Sequence, residues 1–146
     1  MSHKPLVLFA EDDHEDWILI QDALDNCTGE IHYERTEDGV AFLERLQDTT
    51  KQTPDLAFLD LQMPKMGGAQ TLEIIRSTTG FRHLPIIIMT TSRLEADIFN
   101  AYHKGANSYL VKPVTFESMR DILGKTHDYW MNVATLPPTK IPVTCG

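Results

Sequence analysis

No stretch of this chain is apolar over the roughly 20 positions that a membrane-spanning helix requires. Its opening residues, MSHKPLVLFA, lack a signal-peptide cleavage region, and the run Leu6 to Ala10 is too short for such a peptide's apolar core. No membrane partner and a cytoplasmic location are therefore expected. Cysteine is scarce too: Cys27 and Cys145 form no CxxC pair and no metal-like cluster. That argues against a disulfide framework, and Cys27, which falls in a helical apolar pattern, is expected to be a reduced core residue. Positive charge is in short supply, with 13 Lys and Arg against 21 Asp and Glu and a net charge of −8. Without a basic face there is no nucleic-acid footprint. The six histidines are scattered without metal-ligand spacing. No GxxxxGK occurs, so the chain is not a P-loop nucleotide hydrolase, and Gly67 and Gly68 of MPKMGG read as a turn rather than a phosphate cradle.

What is present is a globular composition, 42% hydrophobic and 23% charged over 146 residues, enough for one domain and short of two. Five apolar, β-rich runs occur: Leu6–Ala10, Ile31–Thr36, Asp55–Asp60, Pro85–Thr90 and Asn107–Val111. Helical spacing fills the intervals. Trp17, Ile20, Leu24 and Cys27 mark one helix face, Val40, Leu43 and Leu46 a second, Leu72 and Ile75 a third. A fourth helix, Leu94 to Lys104, should stop at Gly105, and a fifth after Thr115 carries Phe116, Met119, Leu123 and Trp130. Strict strand–helix alternation predicts an α/β fold: a parallel sheet covered by helices on both faces. The expected organisation is a short tail over 1–5, one domain over 6–128 and an extension over 129–146. That extension starts helical and turns irregular at its prolines.

In a parallel sheet the carboxyl ends of the strands share one edge, and ligands bind there. Strand one delivers Glu11 and Asp12, strand three Asp60, strand four Thr90 and Thr91, and strand five Lys112. Three carboxylates at one mouth need a counter-ion, and oxygen-only ligands suit a hard cation such as Mg²⁺. Lys112 neutralises a further charge. Asp60 is then a positioned carboxylate able to attack phosphorus and form an aspartyl phosphate. Mg²⁺, Lys112 and the Thr90 hydroxyl would each take one phosphoryl oxygen. The remaining acids, Asp13, Glu15 and Asp16, are expected only to complement the positive end of the first helix.

The motifs AEDD, FLDLQMPKMGG, IIIMTTS and NSYLVKP, in this order, resemble the receiver domain of response regulators, the phospho-acceptor half of two-component signalling. The resemblance covers Leu6 to about Asp128 and implies a flavodoxin-like, doubly wound (βα)5 sheet of strand order 2-1-3-4-5. By the same resemblance Glu11, Asp12 and Asp60 hold Mg²⁺, and the main-chain carbonyl of Gln62 completes that site. Asp60 is the phosphorylated residue, and Lys112, followed by a cis bond to Pro113, contacts the phosphoryl group with Thr90 and Thr91. Thr90 and Tyr109 form the switch pair. Gln62 and Ser92 occupy rim positions that influence phosphate lifetime. The stretch from Thr90 to Met119, followed by YWMNVATLPP, further resembles the single-domain regulators paired with phytochrome-type histidine kinases.

The expected function is that of a stand-alone response regulator rather than an enzyme. It would take a phosphoryl group from a sensor histidine kinase onto Asp60 and switch a partner or self-association surface. Two alternatives stand beside it. One is a receiver-like interaction module that is never phosphorylated, although none of the acids, the aspartate or the lysine is lost. The other is a phosphatase with an aspartyl intermediate, which needs a second acid where Gln62 stands. Tyr129, Trp130, Met131, Val133 and Leu136 further predict a homodimer, built on the face of the fourth and fifth helices and the Tyr129–Pro138 segment.

Overall fold

A computed structural model describes residues 4–27 and 31–140. Five parallel strands, β1 (Leu6–Ala10), β2 (His32–Thr36), β3 (Leu56–Leu59), β4 (Ile86–Thr90) and β5 (Ser108–Val111), lie in the order β2-β1-β3-β4-β5. Between and after them run α1 (His14–Asp25), α2 (Gly39–Gln47), α3 (Gly68–Ser77), α4 (Glu95–His103) and α5 (Phe116–Asp128). This is the flavodoxin-like arrangement expected.

Every residue of β1, β3 and β4 is buried, because helices cover both faces of the sheet. The period of two along β1 divides the core. Val7 and Phe9 face Trp17, Ile20 and Leu24 of α1 and Met119 and Leu123 of α5. Leu8 and Ala10 face Phe42 and Leu46 of α2, Leu72 and Ile75 of α3, and Ala101 of α4. At the centre of the first layer, Phe9 stacks on Phe58 at 4.6 Å and meets Trp17 edge-on at 5.4 Å.

Local chemistry sets the boundaries. Asp13, Asp38 and Thr115 cap α1, α2 and α5 by accepting from main-chain N–H groups three residues on. Gly105, at φ +108°, supplies the left-handed turn that ends α4. Four of the strands are shorter than the apolar runs. Pro85 has no N–H to donate, and Asp55 accepts the Leu6 N–H on its side chain, in place of a main-chain oxygen.

Three expectations about packing need correction. Cys27 lies past the end of α1, half-buried, its thiol donating to Ala23 O at 3.4 Å, because the helix has already closed at Asn26; Cys145 lies outside the described residues. The buried face of α2 is Phe42, Arg45 and Leu46, with Val40 and Leu43 only half-buried. Phe42, the bulkiest apolar side chain of that helix, takes the centre of the face. On α5, Met119, Leu123 and His127 are buried while Phe116 is half exposed. Beyond Asp128 the backbone widens into a π-type turn, Tyr129–Val133, closed by Ala134 N–H donating to Tyr129 O at 2.7 Å. That turn rolls Trp130 and Met131 onto the α1–α5 side of the core and leaves Tyr129 and Val133 outside. Pro137 and Pro138 then line a small pocket with Pro54, Phe81 and Pro85, at the amino ends of β3 and β4.

Candidate functional site

The strand register brings four chain segments to one edge. Ala10 pairs with Leu59 and Thr36, Leu59 with Ile88, and Thr90 with Val111. Glu11, Asp60 and Lys112, each one residue beyond its strand, therefore converge beside Thr90. They are 2%, 6% and 7% exposed, burial that charged side chains reach only when paired.

Lys112 supplies the pairing. Its ammonium donates to Asp60 Oδ2 at 2.6 Å and to Asp16 Oδ2 at 2.8 Å, and lies 2.8 Å from Glu11 Oε1. Three carboxylates thus match its three hydrogens. The second oxygen of Asp60 accepts the Gln62 N–H at 3.1 Å, and that of Glu11 accepts the Asp13 N–H at 3.1 Å. Burial pushes the Glu11 carboxyl up to about 7, against the pull of Lys112 and with the help of the Asp60 charge. Burial likewise opposes the Lys112 ammonium. Its bonds to Asp16, Asp60 and Glu11 outweigh that and hold it above the ordinary lysine value.

Asp12 is exposed at the mouth, and carboxylate oxygens of Glu11, Asp12 and Asp60 all lie within 4.8 Å of one another. An all-oxygen donor set of this kind, with an excess of negative charge over the single lysine, fits a hard divalent cation. Thr90 is wholly buried and its hydroxyl has no hydrogen-bond partner among the described residues. Leaving such a group unpaired costs about 1–3 kcal/mol, so its persistence at the site points to a ligand oxygen it can serve. Thr91 and the Gln62 side chain are exposed on the rim. Tyr109 is half-buried on β5 and donates to Ser92 O at 2.9 Å, tying the loop after Thr90 to the neighbouring strand.

Two expectations fail here. The bond before Pro113 is trans, as the intrinsic preference of about 0.5–1 kcal/mol favours, and Lys112 reaches its partners in that form. Asp16 is more than a helix-dipole acid, since it shares the ammonium with Asp60. Asp13 does keep a helix-end role, as the cap of α1.

Two further residues hold the site: Arg35, which lies outside every motif, and Gly68, which the motif contains but whose spacing reads only as a turn. Arg35 of β2 donates to the main-chain oxygens of Glu11 at 2.8 Å and Asp12 at 3.2 Å, while its guanidinium lies 5.8 Å above the Trp17 ring. Gly68 presses so closely on the Asp60 carbonyl that a Cβ there would sit 2.3 Å from its oxygen. Only glycine lets α3 start against the end of β3.

Comparison with known proteins agrees with this geometry. Residues 7–124 match the response regulator receiver domain. The probable methanogenesis regulatory protein FilR2 of Methanothrix harundinacea is 32% identical over 131 residues, spanning 86% of this chain and 83% of its own. The Mn²⁺-bound form of response regulator Rcp1, a protein known from Synechocystis, superposes with a TM-score of 0.86 at 28% identity, over 92% of this chain and 99% of that one. The phosphorylated cyanobacterial phytochrome response regulator RcpA gives 0.87 at 30% identity, over 93% and 100%. With its strand-end acids, buried lysine and family match, the chain belongs to the response regulator receiver domain family.

Proposed function

We propose that this protein is a phospho-acceptor switch, not an enzyme, in which Asp60 takes a phosphoryl group from the phosphohistidine of a sensor kinase. The observation that carries the reading is the convergence of a buried carboxylate, a buried ammonium and an unpartnered buried hydroxyl at one strand edge. An oxygen of Asp60 attacks phosphorus, a P–O bond forms, and the P–N bond breaks with its electron pair passing to the imidazole nitrogen. Lys112 transfers a hydrogen bond from Asp60 to a phosphoryl oxygen, and the Thr90 hydroxyl donates to another. Glu11, Asp12, Asp60 and the Gln62 carbonyl would hold Mg²⁺, which supplies neutralising charge for the incoming group.

Movement of Thr90 toward the phosphoryl group would pull on the loop that Tyr109 holds through Ser92. The signal then leaves by the neighbouring surface, where Leu94, Phe99, Val114 and Phe116 stand exposed. We also propose self-association through this face and a phytochrome-type kinase as donor. The likeness to Rcp1 and to the phytochrome response regulator RcpA supports the kinase class.

Incubation with acetyl phosphate and Mg²⁺, followed by intact mass, tests the reading. One added phosphoryl group is expected, and none in Asp60→Asn. Continuous turnover of the donor would instead favour the phosphatase, and an unmodified protein the silent module.

A further inference from the structure

Asp16 has no part in the acceptor chemistry just described, yet it touches the residue on which that chemistry turns. It lies in the first turn of α1, 96 positions from Lys112, and accepts from the ammonium at 2.8 Å. An acid serving only the helix dipole has no need to leave solvent, and Glu15 beside it is exposed. The Asp16 side chain is only 26% exposed. Its direction is fixed on both sides. The Asp13 side chain takes the Asp16 N–H at 2.9 Å, and Trp17 is buried against Phe9.

The hydrogen count on Lys112 gives this contact a consequence. Glu11, Asp16 and Asp60 occupy all three donors of the ammonium. A phosphoryl group on Asp60 removes that carboxylate's charge and brings new anionic oxygens, so the donor released is the one on Asp60. The bond to Asp16 stays in place. It keeps part of the ammonium's charge engaged, and the carboxylate itself is a fixed negative charge at the mouth.

We propose that Asp16 is a positioning residue that acts through Lys112 to restrain loading of the site: it anchors the ammonium at the mouth and opposes the arrival of an anionic group. This rests on the reading of Asp60 as phosphoryl acceptor. Asp16 and Asp60 both lie within 2.8 Å of one nitrogen, so at this range removing one unit of charge is worth about tenfold in anion affinity.

The test compares wild type, Asp16→Asn and Asp16→Glu in titrations with beryllofluoride at saturating Mg²⁺, alongside loading rates with acetyl phosphate and thermal melts. Asp16→Asn should bind beryllofluoride about tenfold more tightly and load faster by a similar factor, while Asp16→Glu stays within about twofold of wild type. An Asp16→Asn protein that matches wild type, or binds more weakly, overturns the restraint. So does a change confined to the melting temperature, which marks a purely structural contact. If wild type itself takes up neither beryllofluoride nor phosphate, the acceptor reading falls and this inference with it.

Discussion

Single side chains carry most of the chemistry, and burial decides which of them matter. Lys112 was legible as a functional residue because reading it as an ordinary surface lysine leaves the acid cluster without a protein cation. Asp16 was not, since an acid in the first turn of a helix is accounted for locally and its partner is 96 residues away. Another buried group lies far from the acids. His127 of α5 is buried, and its Nε2 has no hydrogen-bond partner among the described residues. Burial lowers its pKa below the ordinary histidine value, against a weaker upward pull from Asp128. In the unfolded chain the same ring titrates near about 6.5. Below that pH the unfolded state binds more protons than the folded one, so the contribution of His127 is full above about pH 6.5 and is lost as the pH falls. Urea unfolding of wild type and His127→Leu at pH 7 and pH 5 checks this. The wild-type midpoint should fall relative to the variant on acidification, and parallel behaviour would show that His127 is protonated in the native state.

Elements were more legible than side chains, for a reason that lies in periodicity. The five strands and five helices announce themselves because a buried parallel strand leaves a dense apolar run and a covering helix leaves a stripe. Their exact ends were less legible, since single hydrogen bonds fix them. The Asp55 carboxylate takes the place of a ladder oxygen at the start of β1, and the Asn107 side chain accepts the Ile86 N–H before β5 begins. The π-type turn after α5 left no trace in the sequence. A continued α-helix and a widened turn put the same residues in the same order, and the Ala134 to Tyr129 bond and the packing of Trp130 and Met131 against the core distinguish them. That packing withdraws two apolar side chains from the surface expected to dimerise. Tyr129 and Val133 stay exposed, with Leu94, Phe99, Tyr102, Val114 and Phe116 on or near α4 and α5.

For the whole molecule, the strand-end acids and the prolines of the extension lie at opposite edges of the sheet. The acid-rich mouth occupies the carboxyl edge, Pro137 and Pro138 line the amino edge, and the exposed Leu94, Phe99, Tyr102, Val114 and Phe116 share the elements around α4 and the start of α5 with exposed Arg93, Glu95 and Glu117. The proposed self-association through those elements predicts a dimer in sedimentation velocity at high concentration. Phe99→Glu should shift the protein to monomer, and a wild type that sediments as a monomer both with and without beryllofluoride would refute it. The Arg35 bridge has an optical corollary. One guanidinium grips the loop carbonyls of Glu11 and Asp12 and also roofs the indole of Trp17, one of only two tryptophans. Any ion seated among the acids must alter the field at that chromophore. In a Trp130→Phe background, ultraviolet emission should therefore change in step with Mg²⁺ occupancy, giving the protein a built-in gauge that needs no added dye.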